Sequence, residues 1–199
     1  MKKNLCIAIA VLGTAWSINA QSINIGVKAG VNFSNLTGDV EDSKIRTAFH
    51  AGAVVEFELS ELFSFQPELL YSAQGTRQEI GDDSGDVSTI TSKIDYLNIP
   101  LTAKIYLTDW LNVQVAPQVG FLLDAREESD DNDIETVEDL TALLKEVDFS
   151  LRLGAGYSAP SGFFFDAFYN LGLTNINDLT DNNANFKNGV IQVAVGYFF

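Results

Sequence analysis

Acidic side chains crowd one stretch of the chain, DAREESDDNDIETVEDLTALLKEVD at 124–148. Within it Asp130, Asp131, Asp133 and Glu135 offer the hard oxygen ligands that a divalent cation takes. The spacing departs from an EF-hand loop, because Thr136 stands where that loop needs glycine. A weak cation site and a solvated acidic loop are the two readings, and no firm metal site follows. His50 is the only histidine, so no multi-histidine metal site exists. Near a rim it would have Asp39, Glu41 or Asp42 as partners for base catalysis, but no nucleophile is singled out. Lys28, Lys104 and Arg152 share a strand parity with Glu56, Glu68 and Asp166, which points to an ion-pair network inside a narrow barrel. A gated ion path is the functional alternative for the same six residues. No glycine-rich phosphate loop opens a helix, and no cofactor is expected.

These groups need a scaffold, and the first residues are not part of it. Lys2 and Lys3, the apolar run LCIAIAVLGTAW and then SINA before Gln21 form a secretory signal peptide over 1–20, with the remaining domain at 21–199. The apolar run is shorter than the roughly 20 residues of a spanning helix. Cleavage after Ala20 removes two lysines and no acid, moving the formal charge from −15 to −17, and removes Cys6, the only cysteine. Thiol chemistry is then excluded, and an acidic exported chain disfavours nucleic acid.

Period-two alternation recurs along the rest of the chain. Ile23, Ile25, Val27, Ala29, Val31 and Phe33 share one face against Asn24, Gly26, Lys28, Gly30 and Asn32. Equivalent runs begin at Phe49, Phe63, Leu97, Leu111, Phe149, Phe163 and Ile191. Eight such segments, each long enough for the ~9–11 residues of a tilted membrane strand, predict an all-β, eight-stranded, antiparallel up-and-down transmembrane barrel. The connections alternate between tight turns (Ser60-Glu61, Thr108-Asp109, Ala159–Gly162) and long polar loops at about 34–46, 75–92, 124–147 and 175–188. That alternation places both termini and the short turns in the periplasm and the long loops outside the cell.

The aromatic residues of the apolar face fall into two bands. Phe57, Phe63, Phe65, Tyr157, Phe163, Tyr197 and Phe199 lie near the short turns, and Phe33, Phe49, Tyr71, Phe121 and Phe149 near the long loops. Two lipid interfaces select such bands. Lumen-facing glycines relieve crowding in a narrow barrel. Pro67, Pro100 and Pro117 lie inside strands and predict bulges, since each removes a ladder hydrogen bond. Val137, Leu140, Leu143, Leu144 and Val147 recur at helical spacing and predict a short helix across the barrel mouth.

Several segments together resemble the PorT-like outer-membrane β-barrel family of Gram-negative bacteria, small barrels of the OmpA/OmpX type. They are FSFQPELLYSAQG (63–75), DYLNIPLTAKIYL (95–107), RLGAGY (152–157), FYNLGLTNI (168–176) and the terminal VAVGYFF. Pro67 and Pro100 belong to that pattern. The sequence departs from it at Phe168, where the family often carries Arg before the tyrosine. The resemblance implies an outer-membrane location, a terminal strand with Tyr197 and Phe199 read by the barrel-assembly machinery, and a possible link to a secretion apparatus. The expected role is non-enzymatic: structural, or binding an extracellular partner at the acidic loops, with membrane lipid around the wall. A narrow pore for ions or very small solutes is the alternative.

Overall fold

The computed structural model describes residues 22–38, 43–81, 87–131, 134–177 and 185–199. Alternating apolar and polar residues commit each segment to extended chain, because only a strand puts every second side chain on one face. Nine strands result: β1 (Ile23–Gly38), β2 (Lys44–Glu58), β3 (Phe63–Gly81), β4 (Val87–Tyr106), β5 (Leu111–Asp131), β6 (Ile134–Asp139), β7 (Val147–Ser158), β8 (Phe163–Gly172) and β9 (Phe186–Phe198). All pair antiparallel. Eight of them close into a ring through the β4–β5 and β1–β9 pairings, while β6 pairs only with β5. The last strand seals the first: Val27 faces Tyr197, Gly26 faces Phe198, and the Phe199 N–H donates to Ile25 O at 2.9 Å. A closed ring leaves no unpaired edge.

The outward face is apolar. Ile23, Val31, Phe65, Leu101, Val113, Leu153 and Val193 all stand exposed, with Phe33, Phe49, Phe121 and Phe149 at one end and Phe63, Tyr157, Phe163, Tyr197 and Phe199 at the other. The inward face is polar and buried. An apolar outside around a polar inside is the inverse of a soluble protein and is stable only in lipid.

The tight connections keep their turn chemistry. Ser60 Oγ accepts the Leu62 and Phe63 N–H groups, and Thr108 Oγ accepts those of Trp110 and Leu111. Gly162 closes the third turn at φ +89°, a conformation other residues rarely adopt.

Three expectations are corrected. The long loops predicted at 34–46, 75–92 and 124–147 are largely strand, since β1, β3, β4 and β5 run on well past the aromatic band. Beyond lipid the outer face no longer has to be apolar, so hydrophobic alternation ends although backbone pairing does not. The helix predicted over 137–147 is instead β6, a single 3-10 turn at Thr141–Leu143 and an irregular return. Pairing to the protruding half of β5, from Arg126↔Asp139 to Asp131↔Ile134, satisfies that backbone better than a helix too short to hold alone. The bulges expected at Pro67, Pro100 and Pro117 are absent. Pairing lapses beside each proline but resumes in the same register, as in Val54↔Glu68 then Phe57↔Phe65, and Pro100↔Gln118 then Ala103↔Val115. A one-residue slip would turn every later side chain to the wrong face. The register shifts lie elsewhere, between Ile45 and His50 and between Asp95 and Tyr96.

Candidate functional site

Strand parity sends the even-numbered residues of β1 to β4 and of β8 inward over most of their length, and the lumen they fill is stacked in layers. At the short-turn end Glu56 takes Lys104 Nζ at 3.2 Å on one oxygen and the Tyr106 hydroxyl at 2.8 Å on the other. Lys104 Nζ also lies 5.5 Å from the ring centres of both Phe164 and Phe198, which stack on each other at 4.5 Å. Cations over aromatic faces gain electrostatic energy in a dry setting.

Glu68 is the hub of the next layer. Its carboxylate accepts Lys28 Nζ at 2.8 Å, Arg152 Nη1 at 3.1 Å, Gln66 Nε2 at 2.8 Å and Thr102 Oγ1 at 3.1 Å. Lys28 also reaches Asp166 at 3.4 Å, and Asp166 accepts Gln114 Nε2 at 2.7 Å. The side chains of Lys28, Glu68 and Arg152 are wholly excluded from solvent. Phe168 does not break this layer. Its ring lies 3.9 Å from the Arg152 guanidinium carbon and 5.3 Å from Lys28 Nζ, so a quadrupole stands where a further cation would have added repulsion. Arg152 Nε and Nη2 and Gln66 Oε1 stay without a protein partner, the kind of buried polar atom that ordered water serves.

Above the hub, Asn32 ties three strands together. Its amide donates to Ala73 O at 2.6 Å and Ser72 Oγ at 3.0 Å, while its carbonyl accepts Gln192 Nε2 at 2.8 Å and the His50 Nδ1–H at 2.7 Å. His50 is 1% exposed and therefore a lumen residue. The rim position considered for base catalysis is corrected by that placement, and Asp39, Glu41 and Asp42 lie outside the described residues. Among the described residues no candidate nucleophile meets His50, whose hydrogen bond goes to Asn32.

The far end is closed by a plug that sequence reasoning missed. Ile94, Tyr96, Ala125 and Ile176 form a buried apolar cluster with Leu36, Leu122, Leu140, Leu144 and Phe186 packed against it. Asn188 Nδ2 links Asp148 at 2.9 Å to the Tyr96 hydroxyl at 3.3 Å beneath it. The signal existed only in part. Inward parity of Ile94 and Tyr96 is readable on β4, whereas the β5 register shift and the loop leucines come from folding.

The six residues predicted for the network thus fall into two buried groups: Lys28, Glu68, Arg152 and Asp166 in one, and Glu56 with Lys104 in the other. The proposed cation loop is not assembled in view. Asp133 lies outside the described residues, and the backbones of Asp130, Asp131 and Glu135 belong to the β5–β6 ladder, where Asp130 faces Glu135. Among the described residues no group of three metal-ligating side chains converges. No helix among them is long and apolar enough to cross a membrane, so any crossing is by strands.

No curated protein sequence matches the chain. Among solved structures, Neisserial surface protein A aligns over 91% of this chain and 100% of its own, with a TM-score of 0.57 at 10% identity. Ail, the attachment invasion locus protein of Yersinia pestis, in complex with the heparin analogue sucrose octasulfate, aligns over 89% of this chain and 99% of its own, with a TM-score of 0.50 at 13% identity. Identities that low speak for the fold alone. The family model described as outer membrane protein beta-barrel domain matches residues 19–178. With that match and a closed eight-stranded ring, the chain belongs to the outer membrane β-barrel protein family and resides in the cell outer membrane.

Proposed function

We propose that this protein is a closed, non-conducting and non-enzymatic barrel that presents its protruding strands and acidic loops as a binding surface. The observation that carries this reading is the succession of buried layers in the lumen, from the Glu56–Lys104 pair through the Glu68 hub to the apolar plug around Tyr96. A pathway for ions would have to break buried pairs, and separating one such pair costs about 3–5 kcal/mol. The purified barrel in planar lipid bilayers is expected to show no unitary conductance steps. Regular steps, altered by Glu68→Gln or Arg152→Met, would overturn the reading in favour of a narrow pore.

In this reading the short turns and termini face the periplasm, the β5–β6 hairpin stands outside the cell, and residues 1–20 are a cleaved signal. Mature protein beginning at Gln21 on N-terminal sequencing supports the last point. Tyr197 and Phe199 end the sealing strand with exposed rings, the feature we assign to recognition by the assembly machinery. Within the family, the segments at 63–75 and 95–107 support a relation to PorT-like members, which is part of this reading. The partner at the loops is cationic by charge complementarity, because a formal charge of −15, which becomes −17 without residues 1–20, repels polyanions such as the heparin analogue bound to Ail. Deleting 132–133 and neutralising Glu127, Glu128 and Glu138 is expected to abolish retention of a basic peptide library on cells.

A further inference from the structure

Above the aromatic pair of Phe49 and Tyr71, whose rings lie 5.5 Å apart, the outward wall of β2–β5 changes from apolar to charged. Arg46, Arg77, Thr91, Lys93 and Glu128 line a depression of about 390 Å³ there. The ladder sets Lys44 opposite Arg77, and Lys93 opposite Arg126. Like charges directly opposed across an antiparallel pair destabilise it unless an anion answers them. Glu79 answers Lys44, Glu128 answers Lys93, and Asp124 answers Arg126. Asp95 beside them accepts the Tyr71 hydroxyl at 2.7 Å. Arg77 makes no direct ion pair with a described carboxylate and feels Glu79 only through space. Arg46 spends one N–H on Gln74 O, with Asp95 and Glu128 near it but in no direct ion pair. Among the described residues the only other cations outside the lumen are Lys145 and Lys187. A strongly acidic protein has therefore gathered its exposed cations on one sector, at the height where the membrane changes from acyl chain to headgroup.

We infer that this depression holds a phosphate of an outer-leaflet glycolipid. Arginine forks match phosphate oxygens in two parallel hydrogen bonds, and Arg46 and Arg77 have donors left for them. The depression begins at Thr47, two residues above exposed Phe49 on β2, so a lipid whose phosphate is seated there lays its acyl chains on the apolar wall below. A free anion would gain nothing from that wall. The leaflet follows from the orientation proposed above, and the inference rests on it.

The test uses the full folded barrel in phosphatidylcholine nanodiscs doped with bisphosphorylated lipid A or its dephosphorylated form, with bound glycolipid counted by native mass spectrometry. The wild type is expected to retain the phosphorylated form preferentially, and R46Q/R77Q to lose that preference by roughly tenfold or more. K187Q is expected to behave as wild type, and an unchanged heat-dependent gel shift certifies that each variant is folded. Equal retention by R46Q/R77Q, or no preference for the phosphorylated form, overturns the inference. Displacement by inorganic phosphate at matched concentration shows a free-anion site and overturns the lipid assignment. Orientation is read separately: with Cys6 removed by processing, T136C is expected to label with an impermeant maleimide on whole cells and A159C not to. The reverse pattern overturns the outer-leaflet assignment while leaving the nanodisc result intact.

Discussion

Glu68→Gln and Arg152→Met, made singly and together, test whether the lumen is held by coupled charge. In the wild type Glu68 serves Lys28 at 2.8 Å and Arg152 at 3.1 Å, and Lys28 has Asp166 in reserve at 3.4 Å. Neutralising Glu68 strands the Arg152 cation against Phe168 alone. Removing Arg152 leaves two carboxylates on one lysine. Each single change leaves an uncompensated buried charge and is expected to destabilise by about 3–5 kcal/mol. The double variant restores balance, because Lys28 and Asp166 remain as a neutral pair. Its loss is therefore expected to be no larger than either single loss, which makes the coupling about 3 kcal/mol or more, at the upper end for neighbouring residues. Urea unfolding of the barrel in vesicles, followed by the fluorescence of Trp110, measures all four corners of the cycle, since Trp16 lies in the segment assigned to the signal. Additivity within about 0.5 kcal/mol would refute the reasoning and describe a lumen where water screens each charge separately.

The aromatic layer makes a second prediction. A Cβ on Gly196 would lie 2.1 Å from Phe164 Cζ, so Gly196→Val must displace that ring from its stack with Phe198 and from Lys104. A loss of about 1–3 kcal/mol is expected, seen as a lower temperature for the heat-dependent gel shift, and Phe164→Ala in the same chain should recover part of it. At the loop, Asp139 accepts the Thr141 N–H at 2.9 Å and its carboxyl is held below the usual range by that contact. The contribution is present above the ordinary carboxylate pKa and is lost as pH falls through the depressed one. Hydrogen-exchange protection of the Thr141 amide should drop over that acidic window in the wild type and be pH-independent in Asp139→Asn.

The barrel was legible because one physical constraint acts on every strand. A wall between lipid and a polar lumen forces period-two alternation, and a register slip anywhere would be ruinous. That is why Lys28, Glu56, Glu68, Lys104, Arg152 and Asp166 could be placed on one face from parity, and why the prolines did not disturb it. The same parity put Phe164 and Phe198 inside. They were overlooked because aromatic residues in such a barrel are read first as interface markers. Parity alone gives a face but no depth, so it could not divide the six charges into a four-membered hub and a separate pair. Partner choice depends on strand tilt and on the glycines: Gly154 lies under the Phe168 ring and Gly196 under Phe164, which sets the height at which each cation finds a π face.

The half beyond the aromatic band at the long-loop end obeys a different rule, and this bears on where function should be sought. Past the aromatic band lipid no longer dictates the outer face, so the apolar–polar alternation fades while backbone pairing continues to Gly81, Val87 and Asp131. Residues freed from the in-out constraint can carry chemistry on both faces. The protein uses the inner face of that zone for closure, with Leu140 and Leu144 packed on Ile94, Tyr96 and Ile176, and the outer face for charge, with Lys93 paired to Glu128 and with Arg46 and Arg77 in no direct ion pair among the described residues. On the proposed reading the plug argues against transport, and Arg46 and Arg77, in no direct ion pair among the described residues, give a reason to look for a ligand on the outside of the barrel. In that reading the lumen serves stability, and the upper rim is the place to test for a binding partner.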